Sequence, residues 1–440
     1  MHQLESLPST GMITYAGEHM SVAELIEKAD DIRRQYPQLC ERSIGICFTN
    51  LAEFVSALIA FDGWSSAIYL CPPDVLIPQA ELIKWPLDSD TSITDLTVKQ
   101  LNANSSDVAH TTWYMATSGT TGAPKWFSHS FLSLTASTKH SLKLQTLCWA
   151  LLYQPFRFAG LQVVLQALLS SADLVDIVDY QPISQVALLK QYDVTAVSAT
   201  PSLWRQLLMT GQLSELTLRH ITLGGEIADQ SVLDKLQCVF PEAKLRHIYA
   251  STETGVGLVV SDGLAGFPTS WLDDATLNVA LKVSGEQHLL VKPSHQTCQT
   301  LQQQTDTQGY VDTLDKVQIK GHRVLFIGRS TGIINVGGNK VHPEKVEQVL
   351  LQCADISQAK VYAKKSALMG ELVVADVTLV GLAIREKAEQ QQANQQQVKQ
   401  QLLNSCKNQL QRFEIPTKIN IVNNIDHDLS GKLNRKLNRK

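Results

Sequence analysis

The stretch TSGTTGAPK, Thr117 to Lys125, decides how this chain is read. It follows an apolar-leaning run, Thr112 to Ala116, and ends in a lysine. Gly119 and Gly122 let the backbone approach an anion closely and adopt conformations closed to other residues. Backbone amides, the hydroxyls of Thr117, Ser118, Thr120 and Thr121, and the Lys125 ammonium can then surround phosphate oxygens. The loop does not fit G-x-x-x-x-G-K-[ST], so the usual P-loop reading fails. Alone it reads equally well as a flexible surface turn. The residues downstream decide between the two.

Outward from the loop, helix and strand signals alternate. Ser21 and Glu24 form a capping box ahead of Val22, Leu25, Ile26 and Ala29 on one helical face. Buried strands are expected at Ser43 to Phe48 and Ser66 to Leu70, with a helix from Leu51 to Phe61 between them. Further on come a helix from Gly160 to Leu169, strands in ADLVDIV and DVTAVSA, and a helix around Leu203 to Leu208. Strands at His220 to Leu223 and Leu245 to Tyr249 flank a helix from Gln230 to Val239. Repeated βα units imply an α/β fold with mostly parallel, helix-covered sheets. Near Arg329 the pattern changes to a compact α+β unit. The expected domains are therefore 1–329 and 330–440. The glutamine-rich run Glu389 to Gln401 reads as a solvated extension of a helix.

At 440 residues the chain exceeds one ordinary core. A net charge of −4 and a pI near 6.3 give no reason to expect nucleic acid as a partner. The eight cysteines lack metal-binding spacing and read as small buried hydrophobes in a reducing compartment. The N-terminus has no basic-then-apolar signal design, and no apolar run is long enough to span a bilayer, so a cytoplasmic location is expected.

Several motifs follow the loop in order. YASTETG carries Thr252 and Glu253 at a strand's carboxyl end, where open α/β sheets bind ligands. A carboxylate there, facing a triphosphate, most simply binds magnesium. GYVDTLD ends in Asp315, which could accept from a ribose diol, and GRSTGIINVGGNKVHPEKVE opens the small domain. Lys432 lies in LSGK near the end of the chain.

With these motifs the chain resembles the adenylate-forming superfamily of acyl- and aryl-CoA synthetases, adenylation domains and luciferases. The family's phosphate loop corresponds to TSGTTGAPK and its Y-G-x-T-E motif to Tyr249-Ala-Ser-Thr-Glu253. T-G-D corresponds to Thr313-Leu-Asp315 and the G-R-x-D hinge to Gly328-Arg-Ser-Thr331. The G-G-x-x-[IV]-x-P-x-x-[IV]-E pattern corresponds to GGNKVHPEKVE, and the terminal S-G-K to Ser430-Gly-Lys432. Weaker matches include GGE at Gly224 to Glu226. The resemblance covers nearly the whole chain, and the order of the motifs makes it specific.

The resemblance implies a two-step, AMP-forming ligase. A carboxylate attacks the α-phosphorus of ATP, and a thiol of CoA or of a carrier protein's phosphopantetheine then takes the acyl group. It implies that Thr117 to Lys125 hold the β- and γ-phosphates, that Thr252 contacts the α-phosphate and that Glu253 binds Mg2+. Asp315 would hold the ribose hydroxyls with Arg329 nearby, while Gly225, Glu226, Tyr249, Ala250 and Ser251 line the nucleotide. Lys432 would bridge the two reacting anions. Thr331 would mark the hinge, and Gly337 and Gly338 a thiol tunnel. The acyl pocket would involve Phe156, Arg157, Gly160, Thr222, Gly224 and His247, and with no acidic anchor it suits an aryl or fatty acid. Arg157 reads equally as a partner for an anion or as a surface arginine. Leu314 and Ala250 replace family glycines, and Thr331 replaces the usual hinge residue. A non-catalytic nucleotide-binding scaffold is the alternative.

Overall fold

A computed structural model describes residues 4, 7, 10–48, 50–73, 75, 82–87, 111–117, 125–139, 141–252, 255–272, 274, 277, 279–293, 305–330, 332–366, 370–380 and 388–426, with the side chains of 388–394 excepted. The chain starts with a hairpin, β1 (Met12–Tyr15) and β2 (Glu18–Ser21), which runs into α1 (Val22–Gln35). The expected capping box starts that helix: the Ser21 hydroxyl accepts from the Glu24 N–H at 3.2 Å, and the Glu24 carboxylate accepts from the Ser21 N–H at 2.7 Å. After β3 (Ser43–Ile46), α2 (Leu51–Phe61) is apolar nearly all round and correspondingly buried. β4 (Ala67–Leu70), β5 (Ile83–Trp85), β6 (Thr112–Ala116) and β7 (Trp126–His129) complete a sheet in the order β5-β3-β4-β6-β7. It is parallel except for β7, which folds back on β6 as a hairpin.

Two short helices, α3 (Phe131–Thr135) and α4 (Leu142–Gln145), lead into a second wound unit. Here β8 (Cys148–Leu151), α5 (Phe158–Ser170), β9 (Asp173–Asp176), α6 (Pro182–Gln191) and β10 (Ala196–Ala199) follow in turn. Next come α7 (Pro201–Met209), β11 (His220–Gly224), α8 (Gln230–Val239), β12 (Lys244–Ser251) and β13 (Gly255–Val260). Their strands join β1 and β2 in an eight-stranded sheet, ordered β13-β12-β11-β10-β8-β9-β1-β2. Its parallel centre is bracketed by an antiparallel strand at each edge. The N-terminal strand enters by pairing with β9 in the register Ile13↔Leu174. Apolar clusters fill both faces, one including α2 and α5 and the other including α6, α7 and α8.

A third sheet lies where no strand was expected from the pattern. β14 (Phe267–Pro268), β15 (Val279–Val283), β16 (His288–Pro293), β17 (Val311–Lys320) and β18 (Arg323–Arg329) form an antiparallel sheet in the order β14-β18-β17-β16-β15. Its long strand β17 is half-exposed and breaks its apolar residues with polar ones rather than forming a continuous apolar run.

After residue 330 come β19 (Ile334–Val336), β20 (Asn339–Val341), α9 (Pro343–Leu351), β21 (Ile356–Ser366), β22 (Gly370–Leu379), α10 (Ala388–Gln409) and β23 (Lys418–Ile421). These strands share one sheet and a separate apolar cluster. α9 leans back on the preceding part: Gln348 Nε2 lies 3.5 Å from the Phe326 carbonyl, and Ser231 Oγ lies 3.5 Å from that of Leu351. A Cβ at Gly328 would collide with the Glu344 carboxylate, so the absence of a side chain there lets the first turn of α9 seat on β18.

The seven described cysteines are free thiols, of which Cys71 and Cys406 are buried. Cys238 is exposed, which corrects the expectation that the cysteines are uniformly buried. Among the described residues, no helix is long and apolar enough to cross a membrane.

Candidate active site

Thr117 and Lys125, the described ends of the phosphate-type stretch, close the β6–β7 hairpin. Thr117 N–H donates to the Lys125 carbonyl at 2.9 Å, and Lys125 N–H donates back to the Thr117 hydroxyl at 3.2 Å. This clasp fixes both ends of the loop and leaves Lys125 exposed. Ser118, Gly119, Thr120, Thr121 and Gly122 lie outside the described residues. On β7, Phe127 packs against Val311 of β17. The hairpin therefore lies against the strand that carries Asp315.

The segment expected to border an acid contacts the same hairpin. Arg157 is only 7% exposed, and its Nη1 lies 3.4 Å from the carbonyl of Ala116, the last residue of β6. That overturns the surface reading of this arginine. Its guanidinium also lies 5.8 Å from the Phe156 ring centroid, and Phe156 packs on Phe48. Burial of a guanidinium costs free energy unless polar and aromatic partners surround it. Gly160 sits where helix α5 crosses the preceding turn, and a Cβ there would collide with the Gln154 backbone carbonyl.

The clearest constellation joins β12 to the third sheet. Tyr249 Oη donates to Asp315 Oδ2 at 2.6 Å, and Arg329 Nε donates to Asp315 Oδ1 at 2.9 Å. Asp315 and Arg329 are directly opposed on β17 and β18. The Tyr249 ring stacks on Phe326 at 4.9 Å between centroids, and Gly257 on β13 leaves room for it. Burial first, and then the Asp315 charge, hold the Tyr249 hydroxyl well above its ordinary pKa, so it remains a donor. Each Asp315 oxygen has a second lone-pair direction, which leaves acceptor capacity for a diol. The β12–β13 register slips at Tyr249/Ala250, a bulge of the kind that re-aims side chains beside sites. Sequence reasoning missed Phe326 and Gly257, since nothing local to either links it to Tyr249.

Thr222, Gly224 and Glu226 lie at the carboxyl end of β11. Tyr153 Oη donates to the Gly224 carbonyl at 3.3 Å, and the Trp204 indole donates to that of Thr222 at 2.9 Å. Gly225 has φ 81°, and the Glu226 carboxylate accepts from the Ser202 N–H in the first turn of α7. His247 does not join this group. It pairs with Leu223, so strand alternation turns it to the face opposite Thr222 and Gly224. Its ring instead meets the Leu264 carbonyl at 3.0 Å. Thr252 follows Ser251 at the end of β12 and is partly exposed, whereas Glu253, Thr331 and Lys432 lie outside the described residues.

Leu314, in the place of the family's glycine, has φ 59°. A left-handed backbone explains why glycine suits that place. Gly337 and Gly338 form the two-residue turn of the β19–β20 hairpin, with φ 56° and 90°, as a tight hairpin requires. Both are exposed at its tip.

Comparison with known proteins bears on all of these residues. The profile for AMP-binding enzymes matches residues 70–299, and that for the AMP-binding enzyme C-terminal domain matches residues 345–432. The chain belongs to the AMP-binding enzyme family. Among similar AMP-binding enzymes is a 2-succinylbenzoate–CoA ligase of Staphylococcus epidermidis, 22% identical over 95% of this chain and 92% of the relative. Another from Listeria innocua is 25% identical over 75% of this chain and 70% of its own length. Among solved AMP-binding enzyme folds, an anthranilate CoA ligase with anthranoyl-AMP superposes with TM-score 0.74 at 14% identity, covering 96% and 92% of the two chains. The o-succinylbenzoate CoA synthetase of Bacillus subtilis, with its acyl-adenylate, gives 0.69 at 18% identity, covering 100% and 97%. The α/β architecture expected from the sequence is thus the fold of this family.

Proposed function

We propose that this protein is an AMP-forming acid–thiol ligase that activates a carboxylic acid with ATP and transfers the acyl group to a thiol. The observation that carries this reading is the Asp315 carboxylate held between Tyr249 and Arg329 at the carboxyl end of β12, beside the clasped hairpin. Family membership and the acid–CoA ligases among the relatives support it.

In the first half-reaction two anions must meet, so positioning and cations supply most of the catalysis. The Thr117–Lys125 loop holds the β- and γ-phosphates, Thr252 contacts the α-phosphate, and Asp315 accepts from both ribose hydroxyls. Lys432 bridges the acid carboxylate and the α-phosphate. Mg2+ prefers one or two carboxylates plus substrate phosphates to an all-protein cage. Glu253 would hold the ion, which would neutralise charge on the triphosphate as adenylation proceeds.

The chain works as two bodies in this reading, 1–329 and 330–440. That division is supported by sheets that do not share strands across residue 330. Rotation about Thr331 and Gly332 brings the exposed Gly337–Gly338 turn toward the thiol of CoA or a carrier protein. The thiol attacks the acyl carbonyl, and AMP leaves. Phe156, Arg157, Gly160, Thr222 and Gly224 border an aryl or fatty acid, whereas His247 supports the sheet's other face. The free thiols suit the cytoplasm.

The test is pyrophosphate release from MgATP across aryl, short, medium and long-chain acids, with hydroxylamine trapping the adenylate. Acid-dependent release is expected. Silence across the panel from protein that binds ATP overturns the reading.

A further inference from the structure

Ser330 is where the chain leaves β18. Its Oγ lies 2.7 Å from His288 Nε2, and His288 Nδ1 lies 3.0 Å from Asp312 Oδ2. The other oxygen of Asp312 accepts from the Leu314 N–H at 2.8 Å, and the Leu314 carbonyl accepts from the Ser330 N–H at 2.7 Å. These contacts close a ring, Asp312–His288–Ser330–Leu314, that ties β16, β17 and the end of β18 together. An ionised carboxylate only accepts, so Nδ1 carries a hydrogen, and in the neutral imidazole Nε2 then accepts the Ser330 hydroxyl proton. His288 is 8% exposed whereas the Asp312 side chain is 45% exposed, so the histidine is the shielded member of the ring.

The ring encloses both approaches to the Asp315–Arg329 pair. Leu314 immediately precedes Asp315, and Ser330 immediately follows Arg329. Leu314 is also the residue held at φ 59°. A sparsely populated backbone conformation persists only where its surroundings over-determine it. Two of the ring's four bonds end on that residue's own N–H and C=O.

We propose that His288 and Ser330 are positioning residues for ribose recognition: through Asp312 and Leu314 they fix the left-handed residue of β17 before Asp315 and the strand end after Arg329, and so set how that pair meets a ribose diol. This rests on the reading of Asp315 and Arg329 as the ribose-binding pair. Neither His288 nor Ser330 touches the nucleotide in this account.

The experiment is calorimetric binding of MgATP against 2′-deoxy-ATP and 3′-deoxy-ATP to the full chain, for wild type and for Ser330→Ala, Ser330→Thr and His288→Gln. Wild type is expected to prefer ATP by roughly tenfold, about the effect of one hydrogen bond to a charged group. In Ser330→Ala and His288→Gln the preference narrows at least threefold. Ser330→Thr, which keeps the hydroxyl, retains it. The double variant narrows it no further than the worse single, because both changes open the same ring. An unchanged preference in folded Ser330→Ala and His288→Gln overturns the proposal while leaving the ribose reading intact. Absence of any preference in wild type removes the ribose reading and the proposal together.

Discussion

At the scale of single residues, Tyr249 is the most exposed to test. Tyr249→Phe keeps the stack on Phe326 and removes only the 2.6 Å donor to Asp315. A hydrogen bond to a charged group contributes about 1.5–3 kcal/mol to the fold, so Tm should fall by a few degrees, and ATP affinity should fall roughly tenfold as Asp315 loses its positioning donor. Isothermal titration with ATP checks this, and unaltered affinity would remove Tyr249 from the site. Asp176, at the carboxyl end of β9, gives a pH prediction. Burial first, and then the Asp179 charge, push its carboxyl up to about 6, against the backbone bond from Val178. Below about pH 4 both folded and unfolded forms carry the proton, so there is no penalty. Between pH 4 and 6 the unfolded chain ionises first, and stability falls; above pH 6 the penalty is complete. Asp176→Asn should therefore raise Tm at pH 7 by an amount reflecting at most about 3 kcal/mol, and the gain should vanish by pH 4. A constant gain across that range would mean that ionisation is not its source.

At the scale of elements, the left-handed residue Leu314 within β17 makes the opposite point from a well-formed helix cap. A left-handed non-glycine residue costs about 1–2 kcal/mol, and the extra freedom of an unfolded glycine returns about 0.5–1 kcal/mol of that. The leucine is 40% exposed, so little burial is at stake. Leu314→Gly should raise Tm by about 2 °C without weakening ATP binding; a lower Tm would show that the leucine side chain packs more firmly than its exposure implies. The wound elements were legible because parallel strands such as Ala67–Leu70 are continuous apolar runs and because Ser21 and Glu24 announce α1. The third sheet was not, because Val311–Lys320 alternates with polar residues and resembles loop. The burial of Arg157 was equally hidden: nothing local distinguishes an arginine beneath the Ala116 carbonyl from one in water. The motifs gave Tyr249, Asp315 and Arg329 one by one, but the bonds among them join residues 66 and 14 positions apart. His288 carries no motif at all, and only the folded sheet brings it to Ser330.

At the scale of the whole molecule, α9 meets β18 where Gly328 accommodates Glu344, while the Gly337–Gly338 tip stays exposed. If Lys432 serves the first half-reaction only, Lys432→Ala should abolish adenylation, by at least a hundredfold, and leave thioester formation from supplied acyl-AMP largely intact. Comparing the two half-reactions separates the cases, since equal loss of both would assign Lys432 to neither step in particular. The central sheet has a further consequence, during synthesis. β1 docks on β9, and Met12 N–H donates to the Asp173 carboxylate across 161 positions. At about 5–20 residues per second, the first strand waits roughly 8–30 seconds for its inner neighbour to be translated. Throughout that interval its inner edge is open on the ribosome, which makes this short segment the place where a nascent-chain chaperone would matter most.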